Sequence, residues 1–293
     1  MTPVIEVRNL TRRFGDVVAL DDISLDFHQD AITGLLGRNG AGKTVLMSLI
    51  TAHDHQTRGT VRVFGEDPRE NSKVLGRTCF IRDNQRYPDE FKLRNVLDLG
   101  PHFYPEWDAA LATHIAKELD IPTRTDIRKL SRGQLSAAGV LIGMASRAAV
   151  TFFDEPYLGL DATARTIFYD LLLEDYAEHP RTIILSTHLI DEMEQLLEHI
   201  VVLDHGRVRE NAHIDDLQGR AIRITGAADA VDRVIVGAEV LRHHAIGGKL
   251  ASAVVTARNG LSADADAAGL VVEAASIHEL VAAYGLQSRE GVS

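Results

Sequence analysis

Apolar and polar residues alternate in Val4-Ile5-Glu6-Val7-Arg8 and again in Ile23-Ser24-Leu25-Asp26-Phe27, the period of half-exposed strands, with turn-prone Gly15-Asp16 between them. The pair predicts an antiparallel sheet. Ala31-Ile32-Thr33-Gly34-Leu35-Leu36 is a short, mostly apolar run suited to a buried strand, and Val45-Leu46-Met47-Ser48-Leu49-Ile50 reads as a helix. Thr60-Val61-Arg62-Val63-Phe64-Gly65 alternates once more and ends at a Gly-Glu-Asp-Pro turn. From about Lys73 to Ala149 the pattern turns helical over 95–99, 109–119 and 135–148, with breaks expected at Pro101, Pro105 and Pro122. Buried-type strands return at Val150-Thr151-Phe152-Phe153 and Thr182-Ile183-Ile184-Leu185-Ser186. After Gly206-Arg207-Val208 the chain becomes rich in alanine, glycine and small charged residues. There Arg220 to Gly226 alternates like a strand, and Ser276-Ile277-His278-Glu279 forms a capping box for a last helix. The expectation is an α/β core with a helical insert over about 73–149, followed by a small α+β appendage over 219–293.

Between the buried run and the first helix lies Gly37-Arg38-Asn39-Gly40-Ala41-Gly42-Lys43-Thr44, which matches G-x-x-x-x-G-K-[ST] without a gap. Its glycines let the backbone curl so that successive N–H groups point inward, and the following helix adds its positive dipole end. That is a socket for phosphates. Lys43 can reach the β- and γ-phosphate oxygens, and the Thr44 hydroxyl is placed to ligate Mg²⁺.

The strand ending at Phe153 delivers Asp154 and Glu155 to the ligand-facing edge expected of an open α/β sheet. Asp154 suits the Mg²⁺ shell, and Glu155 suits orienting or deprotonating an attacking water. The strand ending at Ser186-Thr187 should bring His188 to the same edge, where an imidazole can hydrogen-bond a γ-phosphate. Two roles are open to Phe14, an exposed-looking aromatic beside Gly15: a platform for a purine ring, or an ordinary strand-end residue.

The 293 residues carry 45% hydrophobic and 25% charged residues, ordinary for a globular protein with room for two domains. A net charge of -11 disfavours a surface built against a nucleic-acid backbone. The single cysteine, Cys79, excludes an internal disulfide and fits a reducing cytoplasm; it reads as a small buried apolar residue. No run of some eighteen apolar residues reads as a membrane span, and the first residues lack a signal-peptide plan. His243 and His244, adjacent on an expected strand, would face opposite ways and could not chelate one metal.

Together these residues resemble the nucleotide-binding subunit of an ABC transporter over residues 4 to about 217. Leu130-Ser131-Arg132-Gly133-Gln134 is similar to the family signature LSGGQ. Phe153-Asp154-Glu155-Pro156 resembles the Walker B segment, Leu158-Gly159-Leu160-Asp161 the D-loop, and Ser186-Thr187-His188 the switch-histidine loop. The resemblance implies a P-loop ABC-type ATPase core over 1–218, with an antiparallel β subdomain and a helical subdomain. It further implies a head-to-tail dimer with two ATP molecules between the protomers and hydrolysis dependent on Mg²⁺. In that arrangement Phe14 stacks on adenine, residues 37–45 hold the phosphates, and Thr44, Asp154 and Gln85 serve the metal. Lys43, Glu155 and His188 are the catalytic set. Ser131, Gly133, Gln134 and Asp161 act on the partner's nucleotide. A separate integral membrane permease docks on the helical insert, which places the chain at the inner face of the membrane, and no nucleic acid is expected.

Three departures from the family pattern stand out. Val45 replaces a second hydroxyl that contacts the α-phosphate, a loss of roughly 1.5 to 3 kcal/mol in binding if nothing substitutes. The glutamine expected soon after a strand is Gln85, with Arg82 or Asp83 as other occupants of that position. Arg132 stands at the first signature glycine and adds positive charge near an anion site. The segment Phe103 to Asp108, with the only tryptophan, resembles one found in the drug and antibiotic exporter branch; its other reading is an aromatic plug of the helical subdomain. Two further function classes compete with the transporter. One is a soluble ABC-type ATPase acting on ribosomes or nucleic acid, which typically needs two cassettes or a long coiled coil. The other is a regulatory ATP sensor, suggested by Val45 and the appendage.

Overall fold

The computed structural model describes residues 3–83, 85–88, 90–187, 190–258 and 260–287. The alternating segments form long strands, β1 (Pro3–Phe14) and β2 (Val17–His28), antiparallel to one another. After β3 (Ile32–Leu36) and α1 (Lys43–Ile50), β4 (Arg58–Val63) joins the other side of β1. The resulting three-stranded sheet packs Ile5, Val7, Leu10 and Phe27 against Leu46 and Met47 of α1.

The short α2 (Ser72–Leu75) leads to β5 (Thr78–Ile81), which joins the central sheet, so the helical part of the insert begins only after Ile81. It comprises α3 (Leu93–Phe103), α4 (Ala109–Glu118) and α5 (Arg132–Ala145). Pro101 does not break α3. It lies in the last turn, where losing one N–H removes only a single bond near a fraying end, and the helix closes with Tyr104 N–H on the Gly100 carbonyl. Tyr104 and Trp107 stack together; Tyr104 donates to Cys79 Sγ at 3.4 Å, and a Cβ on Gly100 would lie 2.4 Å from the indole. Burial pushes the Cys79 thiol pKa up, as expected of an inert core thiol. The Phe103 to Asp108 segment thus includes an aromatic plug.

Next come β6 (Val150–Asp154), α6 (Ala162–Glu178), β7 (Thr182–Thr187), α7 (Ile190–Met193), β8 (His199–Asp204) and β9 (Arg207–His213). The central sheet has the order β5-β6-β7-β3-β8-β9, parallel except for β9. Strands β3, β6 and β7 are fully buried, which is why they read as continuous apolar runs rather than alternating ones. Their register sets Asp154 beside Ser186 and Leu36 beside Thr187. Three strand ends therefore open onto one edge. At the opposite edge, buried Asp175 of α6 joins Arg147 at 2.5 Å and Arg181 at 2.7 Å.

After α8 (Ile214–Leu217) the chain forms β10 (Ala221–Ala227), α9 (Ala228–Val234), β11 (Val240–Ile246), β12 (Leu250–Thr256), α10 (Leu261–Ala267), β13 (Val271–Ala274) and α11 (Ile277–Gln287). This βαββαβ run folds into an antiparallel sheet of order β11-β12-β10-β13, the split βαβ arrangement. Ile222, Ile224, Ala253 and Val255 pack one face against α9 and α10. On the other face, Leu241 and Val254 join Ile277, Leu280 and Val281 of α11 in a cluster continuous with Met193, Leu196 and Ile200 of the core. The appendage is bonded to the core by this apolar seam. Ser276 caps α11, accepting from Glu279 N–H while its own N–H donates to the Glu279 carboxylate. His243 pairs with Asp232 of α9 at 3.0 Å.

Candidate functional site

The loop from Gly37 to Thr44 leaves β3 and turns directly into α1. Gly37 has φ 145, and a Cβ there would lie 2.2 Å from the Leu203 carbonyl oxygen. Gly42 caps α1 at φ 106, where a Cβ would lie 2.8 Å from the Ala19 carbonyl. Glycine is needed at both for conformation and for space. No side chain caps α1, so its first N–H groups face the loop without an intrahelical or side-chain acceptor. Ala19, Arg38, Asn39 and Gly40 to Val45 line a cleft of about 270 Å³ together with Glu155.

Lys43 is buried, its Nζ donating to the Gly37 carbonyl at 2.7 Å and lying 3.6 Å from Glu155 Oε1. Thr44 Oγ1 donates to Asp154 Oδ2 at 2.7 Å, and Ser186 Oγ donates to Asp154 Oδ1 at 2.7 Å. Glu155 N–H in turn donates to Ser186 Oγ at 2.9 Å, which holds Glu155 at φ 50, a strained value for a non-glycine residue. Tyr157 OH lies 3.5 Å from the other Glu155 oxygen and accepts from Thr187 Oγ1 at 3.1 Å. One polar network therefore spans three strand ends. Ser186 and Tyr157 are members whose roles sequence reasoning missed; for Ser186 the available signal was a hydroxyl closing the apolar run Ile183-Ile184-Leu185.

The donor set fits Mg²⁺. The Thr44 hydroxyl and the Asp154 carboxylate meet beside the phosphate loop, and such hard oxygens are the ligands this ion would take. Such an ion would take waters and phosphate oxygens as its other ligands.

Other expected residues are placed elsewhere. Phe14 is 47% exposed at the end of β1, and the Arg12 guanidinium sits 4.2 Å from its ring centre, so one face carries a cation–π contact. Arg12 is itself held by both oxygens of Asp54. Val45 is half-buried against the α1 core cluster and brings no hydroxyl. Gln85 accepts from Arg82 N–H at 3.3 Å within its own loop and does not line the phosphate cleft. His188 lies outside the described residues.

Ser131 caps α5 in a reciprocal box, its Oγ accepting from Gln134 N–H at 3.2 Å and its N–H donating to Gln134 Oε1 at 3.0 Å. Asp161 caps α6 through Ala164 N–H at 2.8 Å. Neither these residues nor Gly133 line the phosphate cleft of their own chain. Arg132 reaches Asp83 at 3.5 Å, an exposed pair of small energetic weight.

Comparison with known proteins shows the family. The family model described as ABC transporter matches residues 20–158. The ABC transporter ATP-binding protein YtrB of Bacillus subtilis is 27% identical over 226 residues, 77% of each chain. An aliphatic sulfonates import ATP-binding protein, SsuB 2 of Rhizobium johnstonii, is 32% identical over 73% of this chain and 82% of its own. Among solved structures, one described as the ATP binding subunit of an ABC transporter superposes with a TM-score of 0.67 at 22% identity, covering 73% of this chain and 91% of the other. The chain belongs to the ABC transporter family and is one of its ATPases.

Proposed function

We propose that the chain is the energy-supplying subunit of an exporter, closing on a second protomer around ATP and docking on a separate membrane permease. The observation that carries the reading is the network joining Thr44, Asp154, Ser186 and Glu155 beside buried Lys43, where the glycine loop turns into a helix start that no side chain caps. The loop over 37–44 and Lys43 bind the phosphates. Thr44 and Asp154 hold Mg²⁺, which when bound neutralises charge on the phosphate oxygens. Glu155, fixed by Ser186, takes the proton of the attacking water, and His188 steadies the γ-phosphate. The free face of Phe14 receives the adenine, and Val45 keeps affinity modest. From the second protomer, Ser131, Gly133, Gln134 and Asp161 complete the site, consistent with their lying away from the cleft of their own chain. Gln85 lies on the loop between the central sheet and the helical subdomain, where metal and permease can both be sensed. Residues 1–218 form the ATPase unit, and 219–293 an accessory unit.

No described helix is long and apolar enough to cross a membrane, and the net charge is -11. These favour a permease-docked subunit over action on nucleic acid. The test is a mild-detergent pull-down of the full Glu155→Gln chain with ATP from its native cell. A multi-span membrane protein is the expected companion; ribosomal proteins or nucleic acid without one would overturn the reading. Vesicles carrying that permease then give direction: cargo moving away from the ATPase side is expected, and movement toward it would make the system an importer.

A further inference from the structure

The N-terminus of α5 and the loop that begins at Glu155 touch backbone to backbone. A Cβ on Gly133 would lie 2.6 Å from the Gly159 carbonyl oxygen, so no side chain fits between them. Gly159 has φ 97, and a Cβ there would lie 3.2 Å from both the Arg132 carbonyl oxygen and Ser136 Oγ. Ser136, three residues beyond Gly133 and on the same helical face, donates its hydroxyl to the Leu158 carbonyl. Leu158 N–H in turn closes a turn on the Glu155 carbonyl at 3.0 Å.

The direction of that hydroxyl sets Ser136 apart. Thr113, Ser146 and Thr166 return theirs to carbonyls of their own helices, the local habit of such residues. Ser136 instead bonds a different segment. The tie runs from Ser131 at the head of α5, through Ser136 and Leu158, back to Glu155 and forward to Asp161 at the head of α6.

We infer that Ser136, with the Gly133–Gly159 contact, is a latch that makes the signature helix and the Glu155–Asp161 loop of one chain move as a single body. The inference rests on the two-chain reading above. Ser131 and Asp161 serve the partner's nucleotide, whereas Glu155 serves the chain's own. Through the latch, a chain that engages its partner's nucleotide sets its own Glu155 in the same motion. Ser136 is a positioning residue: it touches no substrate and acts through Leu158.

The test uses the full chain with Mg²⁺ and ATP. Ser136→Ala is expected to lower kcat about 3- to 10-fold, the loss of about one neutral hydrogen bond, and to bring the Hill coefficient for ATP down toward one. The KM and the melting temperature should stay near wild type, and Ser136→Thr, which keeps the hydroxyl, should restore most of both losses. A variant with unchanged kcat and Hill coefficient would overturn the latch, as would a loss that follows the melting temperature alone. ATP-dependent dimerisation, followed by sedimentation of Glu155→Gln, separates the two levels. A dimer with an indifferent Ser136→Ala refutes the latch only, and no dimer refutes the two-chain reading and the latch with it.

Discussion

The core and the appendage are both sheets covered by helices, yet they spend their polar groups differently. In the appendage, the described polar side chains are largely committed to structure. Arg223 bridges Glu273 and Glu279, Thr225 meets Ser252 across two strands, His243 pairs with Asp232, and Ser276 caps α11. In the core, three parallel strands end together, and beyond them lie an uncapped helix start, a buried lysine and two acids linked to two hydroxyls. Parallel topology makes this possible, because it brings several strand ends to one edge, whereas antiparallel neighbours send theirs to opposite edges. Chemistry collects where buried polar groups converge without being consumed by local structure.

The sharpest way to break that contrast is a pair of substitutions. Lys43→Ala should lower ATP hydrolysis about 10²- to 10³-fold, the usual consequence of removing a phosphate-facing donor from a preorganised site. His243→Ala in the appendage should leave the rate within about twofold. Steady-state phosphate release measures both, and comparable losses would mean that the appendage takes part in the chemistry.

The seam between the two regions comes next. Leu280 is buried between α11 and the core, and Leu280→Ala leaves a cavity there worth about 2 to 4 kcal/mol. Hydrogen exchange over 221–287 should rise while exchange in β3, β6 and β7 stays slow. If the central strands open equally, the two regions unfold as one cooperative unit.

This difference between regions also decided what could be read from the chain. The phosphate loop was legible because its chemistry is local: eight consecutive residues set the turn, the uncapped helix and the lysine. Asp154 and Glu155 were legible because a wholly apolar run ends at them. Ser186 was not, since its bond to Asp154 depends on the register of two strands 32 residues apart. Nor was the guanidinium on Phe14, which depends on Arg12 being held by Asp54 from beyond α1. The capping box of α11 was visible at Ser276 and Glu279, but its docking beside α7 required tertiary packing. Pro101 misled for a related reason. A proline's effect depends on its position in the helix, and the end of α3 is set by contacts of Gly100 and Tyr104 with the Trp107 plug.

Within the site, a smaller effect tests how fully the loop's donors account for affinity. Val45→Thr adds a hydroxyl at the first turn of α1, and ATP should bind about tenfold more tightly by calorimetry, the gain of one charge-assisted hydrogen bond. Unchanged affinity would show that the backbone N–H groups already satisfy the α-phosphate and that Val45 is neutral.

The smallest expected effect lies on the core's far edge, where β8 begins and β9 leads into α8. The His199 ring stands 4.9 Å from both His28 and His213, with Glu198 adjacent in sequence and held by Tyr176 OH at 2.6 Å. Burial, then the neighbouring His28 and His213, hold the His199 pKa below its ordinary value near 6.5, while Glu198 and Asp216 oppose the shift. The unfolded chain therefore takes up this proton more readily than the folded one. Stability must fall as pH drops through and below about 6.5, and it is independent of His199 well above that value. Urea midpoints at pH 7.5 and 5.5 should differ less in His199→Gln than in wild type. Because His199 packs on His213, where β9 leads into α8 and on to the appendage, acid should loosen this junction before it disturbs the phosphate site. ATP binding that weakens over the same pH interval as the wild-type urea midpoint, and no longer does so in His199→Gln, would contradict that order and join the two edges of the sheet energetically.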